Sequence, residues 1–173
     1  MRRRAIVSLA LAGVPASAMS LAVSATASAN DPVYAMHNVS NMCLQPINGT
    51  QDAGADVVQQ PCNGSTEQRW VFHSLGGANY RIENERSFRC LDALGGATNG
   101  TPVVQWPCAS ISNQTWDTGV TLAGFPILGT VRSRVSGTTS HCLDVPGAQL
   151  STPGPAVQIW SCNRTIAQNW ILS

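Results

Sequence analysis

The sequence predicts an all-β domain assembled from three copies of one unit. Three observations carry that expectation. First, a motif recurs in register: "CLQPINGTQDAGADVVQQPCNGSTEQRW" from Cys43 to Trp70, "CLDALGGATNGTPVVQWPCASISNQTW" from Cys90 to Trp116, and "CLDVPGAQLSTPGPAVQIWSCNRTIAQNW" from Cys142 to Trp170. Second, the apolar runs "DVVQQ", "PVVQW" and "AVQIW" are short, rich in β-branched or aromatic residues, and bounded by NG, GG, PG and GTT turns. Third, no stretch after the leader keeps a helical 3.6 period over ten or more residues. Many short strands suggest a sandwich or a barrel, and threefold repetition fits a threefold barrel better than an ordinary two-sheet sandwich.

The elements follow in chain order. Arg2, Arg3 and Arg4, an apolar run from Ala5 to Val14, Pro15 and a small-residue stretch ending in A-x-A read as a signal peptide over residues 1–29. Ala29 is the favoured cleavage point and Ala18 the rival. The unbroken apolar run is too short for a membrane anchor. Cleavage leaves 173 − 29 = 144 residues, one domain over 30–173. All ten basic residues are Arg and three lie in the leader, so 10 − 3 = 7 face nine acids, all beyond residue 29, for a net −2. That balance argues against a nucleic-acid partner, which calls for a basic footprint. The alanine-rich leader and Arg-only basic content suit a secreted protein of a GC-rich bacterium.

Within the domain the copies are expected at about 33–79, 80–125 and 126–173. Each opens Cys-Leu and places a Val five residues before its second Cys (Val57, Val103, Val157). Each has a Gln six residues after that Cys (Gln68, Gln114, Gln168) and ends Gln-x-Trp. Tyr34 and Tyr80 precede their Cys by nine and ten residues, whereas the third copy is looser and follows the inserted "GVTLAGFPILG". Six cysteines in an exported chain imply disulfides. Two pairings respect the repeat: Cys43–Cys62, Cys90–Cys108 and Cys142–Cys162 within copies, or each second Cys with the next copy's first, closing Cys162 on Cys43. The first is favoured because its loops are nearly equal.

C-L-D, V-Q-x-W-x-C and Q-x-W, in three registered copies from about Val33 to Ser173, resemble the ricin B-chain-type lectin domain. The resemblance implies a β-trefoil of twelve strands in three four-strand units, with one potential sugar site per unit. It also implies the within-copy disulfides. The site residues it implies are the Asp of C-L-D, a polar residue four before the second Cys, an aromatic two before it, and an Asn-Gln that opens Gln-x-Trp. Their chemistry suits a sugar. A carboxylate accepts from adjacent hydroxyls in strong charge-assisted bonds, an aromatic face covers a C–H patch, and amides both donate and accept.

The copies differ in how much of that set they keep. The third has Asp144, Gln158, Trp160 and Gln168, with Ala167 where Asn is expected. The second has Asp92, Trp106, Asn113 and Gln114, with Val104 in place of Gln158. Gln105 is one place off and points to the other face of a regular strand. The first has Gln45, Val58, Gln60 and Glu67 at the four positions, keeping only Gln68. Two working sites and a weak or dead first are expected. Trp70, Trp116 and Trp170 recur even in the degenerate copy, so they read as core, as do the Cys-Leu leucines and the three Val. Gln68, Gln114 and Gln168 recur there too and read as partly structural. The competing role for Asp92 and Asp144 is to bond turn backbone.

Catalysis is not expected. His37, His73 and His141 lack metal-ligand spacing, no cofactor motif is present, and Glu83 and Glu85 beside Arg81, Arg86 and Arg89 read as a solvated charged face. The expected function is a carbohydrate-binding lectin for galactose- or xylose-type glycans or polysaccharide. The alternatives are a β-trefoil protease inhibitor acting through "TLAGFPILG" (Thr121 to Gly129), or a targeting subunit for a separate catalytic or toxin protein.

Overall fold

The computed structural model describes residues 31–123, 127–137 and 139–173. The expected leader, residues 1–29, and positions 124–126 of the expected inhibitory loop lie outside them. Thirteen strands and six 3₁₀ turns are present among the described residues. The first copy contributes β1 (Val33–His37), β2 (Met42–Pro46), β3 (Val57–Pro61) and β4 (Arg69–Gly76). The second contributes β5 (Asn79–Asn84), β6 (Arg89–Ala93), β7 (Thr101–Pro107) and β8 (Trp116–Asp117). The third contributes β9 (Ile127–Gly129), β10 (Arg132–Ser133), β11 (His141–Asp144), β12 (Gln158–Ser161) and β13 (Trp170–Leu172).

Antiparallel pairings β1–β4, β4–β5, β5–β8, β8–β10, β9–β13 and β13–β1 close a ring. The hairpins β2–β3, β6–β7 and β11–β12 form the other layer. A closed barrel capped by three hairpins is the β-trefoil. The thirteenth strand arises because β9 and β10 share one barrel position, interrupted at Thr130–Val131. The barrel Trp of each copy explains the break. Trp70 faces Tyr34 and Trp116 faces Tyr80, but Trp170 faces Gly129. A glycine offers no side chain to pack, and it weakens a strand.

Around the threefold axis the hairpins lock in sequence. Gly54 N–H donates to the Gln105 carbonyl (2.8 Å), Gly100 N–H to Ile159 (3.0 Å) and Gly154 N–H to Gln59 (2.8 Å). The expected core positions are core: Trp70, Trp116, Trp170, the three Cys-Leu leucines and Val57, Val103 and Val157 are at most 1% exposed. Each indole also satisfies its polar atom. Trp70, Trp116 and Trp170 donate Nε1–H to the carbonyls of Leu44, Leu91 and Leu143 at 3.0, 2.9 and 3.0 Å. An indole N–H left unpaired there would cost about 1–3 kcal/mol.

The disulfides are the within-copy set: Cys43–Cys62, Cys90–Cys108 and Cys142–Cys162. Hairpin register decides this. Cys43, Cys90 and Cys142 lie opposite Gln60, Trp106 and Trp160, each two residues before the second Cys. The two Cα atoms of a pair therefore end 4.9–5.1 Å apart.

One half-buried charged group departs from the expectation. Glu83 does not merely face solvent. His73, 6% exposed on β4, has Nδ1 2.8 Å from Asp31 Oδ2 and Nε2 3.2 Å from Glu83 Oε2. The Glu83 bond, followed by the Asp31 bond, raises the His73 pKa above its ordinary 6.5 against the opposing effects of burial and Arg81. A raised native pKa means protonated His73 stabilises the fold fully below pH 6.5, and that contribution is lost as pH rises through the native value. His73→Gln is expected to flatten the fall in unfolding midpoint over that alkaline-going window, measured by urea titration at several pH values. Separately, Cys90→Ser with Cys108→Ser is expected to cost about 3 kcal/mol by chain entropy, read in the same urea titration.

Candidate functional site

The third copy builds its site at the loop end of the β11–β12 hairpin. Asp144 lies directly opposite Gln158, and Trp160 follows two residues on, along the same face of β12. Gln158 Nε2–H donates to Asp144 Oδ2 at 2.9 Å, and Gln168 Nε2–H donates to Oδ1 at 3.2 Å. Above the carboxylate is a cavity of about 300 Å³, lined by Asp144, Gln158, Trp160, Asn163, Thr165 and Ala167 among others. That volume is at the lower end of the usual range for small-ligand sites. Trp160 is 39% exposed, so its ring is available to a ligand.

The second copy repeats the frame with one donor fewer. Asp92 lies opposite Val104, and Gln114 Nε2–H donates to Asp92 Oδ2 at 2.9 Å. Trp106 is 42% exposed, and half-buried Asn113 donates Nδ2–H to the Ala93 carbonyl at 3.2 Å. Gln105 points inward as expected and is fully buried. In the first copy Gln45 takes the place of the Asp, and its Oε1 accepts from Gln68 Nε2–H at 2.8 Å. Half-buried Gln60 stands where Trp106 and Trp160 stand, so this copy lacks both the Asp of Cys-Leu-Asp and the aromatic platform, and its carboxylate, Glu67, sits at the position that is Asn113 in the second copy.

The three Gln-x-Trp glutamines lie beneath the residue that follows Cys-Leu, and Gln114 and Gln168 reach the sites through the carboxylates they hold. All three are at most 1% exposed. Their Oε1 atoms accept from the backbone of Asn63, Ala109 and Asn163 at 2.7–2.9 Å. Their second N–H goes to the carbonyl of Pro61, Pro107 or Ser161 at 3.0–3.1 Å. With backbone bonds fixing the amide, one N–H is left to hold the Asp. Asn163 and Thr165 line the rim of the third site, a role the sequence did not show: the second copy has Ala109 and Ile111 there, while the first has Asn63 and Ser65 in the same turn, so the pair recurs as turn chemistry rather than with the site. Asn163 Oδ1 accepts from both Thr165 N–H and Oγ–H, which shapes that rim as an Asx turn.

The family model for the ricin-type β-trefoil lectin domain matches residues 32–170. The chain belongs to this family. No curated protein sequence matches it. Among solved structures this lectin domain is similar to the designed threefold-symmetric protein ThreeFoil, with 26% identity, TM-score 0.71, 82% of this chain and 98% of that one covered. It is similar to an exo-β-1,3-galactanase from Clostridium thermocellum, with 28% identity and TM-score 0.71 over 82% of this chain, but it spans only 30% of that enzyme. The fold is shared with the Macrolepiota procera ricin B-like lectin solved with lactose, at 18% identity and TM-score 0.65, covering 86% of this chain and 99% of that one.

The carboxylates of the lectin domain are electrostatically costly. Burial raises the pKa of Asp144 above the ordinary 3.8, while the bonds from Gln158 and Gln168 pull it back. Asp92 is raised by burial and lowered by Gln114 alone. A raised native carboxyl pKa favours the fold when protonated, and that contribution is lost as pH rises through the native value. Ionised Asp144 therefore costs stability at neutral pH. Asp144→Asn is expected to melt no lower than wild type at pH 7, with the difference shrinking as pH falls towards 3.8, while the site loses its anionic acceptor. Calorimetric melting across that pH range checks it.

Proposed function

We propose that the protein is a secreted, non-catalytic lectin whose third and second copies bind galactose- or xylose-type units of a glycan or polysaccharide. The observation that carries this is the third site: a carboxylate held by two amides on the floor of a cavity, with a half-exposed tryptophan beside it. A pair of neighbouring hydroxyls matches the carboxylate, and the C–H face of a pyranose matches the indole. A ricin B-like lectin of the same fold was solved with lactose, and a similar stretch lies within a galactanase chain, which supports a galactose-type ligand. Each site has one carboxylate committed to amide partners, whereas glycoside hydrolysis uses a facing pair, which supports a binding role. The leader-like residues 1–29 support export. Shallow single sites bind weakly, and two on one rigid domain gain on a polymer by effective concentration. A separate catalytic partner that this lectin would target fits the same reading.

A glycan array on residues 30–173 tests the reading. Asp144→Ala is expected to cost about 1.5–3 kcal/mol, roughly ten- to a hundredfold in affinity, by removing a charged acceptor. Trp160→Ala and Trp106→Ala are each expected to lose their own site, and Gln60→Ala to change nothing. Absence of glycan binding, with protease inhibition retained in Asp144→Ala, would replace the lectin reading with the inhibitor one.

A further inference from the structure

The first copy has no sugar constellation, yet its hairpin loop is fastened to the second site. Fully buried Gln105 donates Nε2–H to the carbonyls of Thr50 (2.9 Å) and Asp52 (2.8 Å) and accepts from Ser87 Oγ–H at 2.7 Å. Gln105 N–H donates to the Ala55 carbonyl at 2.9 Å, and Gly54 N–H returns to the Gln105 carbonyl at 2.8 Å. Arg89 Nε–H reaches the Gln51 carbonyl at 2.6 Å. The loop from Thr50 to Asp56 thus runs against the strand that carries Trp106.

At the centre of this contact Gly54 meets the indole itself. A Cβ on Gly54 would stand 2.8 Å from Trp106 Cζ3 and 3.5 Å from Cε3, and the backbone there has φ +80°. Both the left-handed conformation and the missing side chain are required. The symmetry-related positions differ. A Cβ on Gly100, beneath the third site, would come no closer than 3.9 Å to Trp160 and to Gln158. At Gly154, beside the copy that has Gln60, a Cβ would meet nothing within 4 Å, although φ is +99°.

We propose that Gly54 is a positioning residue for the second sugar site: the degenerate first copy serves as the seat on which the Trp106 ring is set. The inference rests on the lectin reading above. Gln105 clamps the loop, the loop presents Gly54, and Gly54 fixes where the benzo edge of Trp106 lies. The degenerate copy thereby contributes to sugar binding without a ligand contact of its own.

Site-resolved NMR separates the possibilities. The indole N–H signals of Trp106 and Trp160 are followed while the domain is titrated with lactose and, separately, with xylohexaose. Gly54→Ala is expected to weaken binding read at Trp106 by at least about tenfold, since displacing a contact group by an ångström is that costly. Trp160 in the same sample is expected to hold within about twofold, as independent sites do. Gly154→Ala imposes the same backbone demand without an indole above it and is expected to leave both sites unchanged. Should Gly54→Ala not fold, Gln105→Ile takes its place. The third copy carries Ile159 at that position, and this variant releases the loop and is expected to weaken Trp106 selectively. Equal weakening of both sites by Gly54→Ala, equal loss at Trp106 from Gly154→Ala, or an unchanged Trp106 affinity in Gln105→Ile would overturn the proposal. If neither probe moves either signal in the wild type, the failure is that of the sugar reading itself.

Discussion

The bond from each buried indole to the carbonyl of a Cys-Leu leucine joins the two layers of this molecule. Trp70, Trp116 and Trp170 belong to the barrel, while Leu44, Leu91 and Leu143 belong to the hairpins. One side chain therefore fills the core and fixes the height of a hairpin above it. The glutamine two residues earlier is carried to the same place by a 3₁₀ turn and bonds backbone near the second Cys of its copy. With the indole, the glutamine and the disulfide in place, the residue after Cys-Leu has little freedom left. If it is Asp, its carboxylate is held at the floor of a site; if it is Gln45, the same frame holds an amide.

This division explains why the scaffold survives where the site does not. The groups that hold the Asp are needed by the fold with or without a ligand, since Gln68 keeps its backbone partners in the degenerate copy. The ligand-facing groups carry no such obligation. Burying an ionised carboxylate costs stability, and amide donors offset that cost only in part. In the second copy Asp92 has Val104 across the hairpin instead of a donor such as Gln158. The two sites thus differ in how well their charge is solvated by protein.

The hairpins also depend on one another. Each copy's loop lies against the next hairpin, and Gln59 and Gln105 bind the carbonyls of the loop that reaches them. Where the third copy has Ile159, fully buried, the neighbouring loop is held instead by Asn99, whose Oδ1 accepts from Ser161 N–H and Oγ–H. A repeat that departs from the Asp and Trp pattern therefore keeps duties towards its neighbour. His73, held between Asp31 and Glu83, likewise ties the start of the first copy to the barrel and makes part of the stability pH-dependent.

The sequence by itself determined the repeat, the all-β class, the core tryptophans, leucines and valines, and the positions at which the copies differ. These were legible because three copies in one chain act as their own comparison: what the scaffold needs recurs in all, and what the ligand needs varies. The sequence already favoured the threefold barrel and the within-copy disulfides, which register then fixed, whereas the burial of Gln114 and Gln168 beneath their carboxylates was decided only by the tertiary structure. So were the clasp at His73, the split strand opposite Trp170 and the seating of Trp106 on Gly54. Each depends on cross-strand register or on contact between copies. A repeat shows which residues are equivalent, but packing decides which of them touch, because the partners are set by the closure of the barrel rather than by distance along the chain.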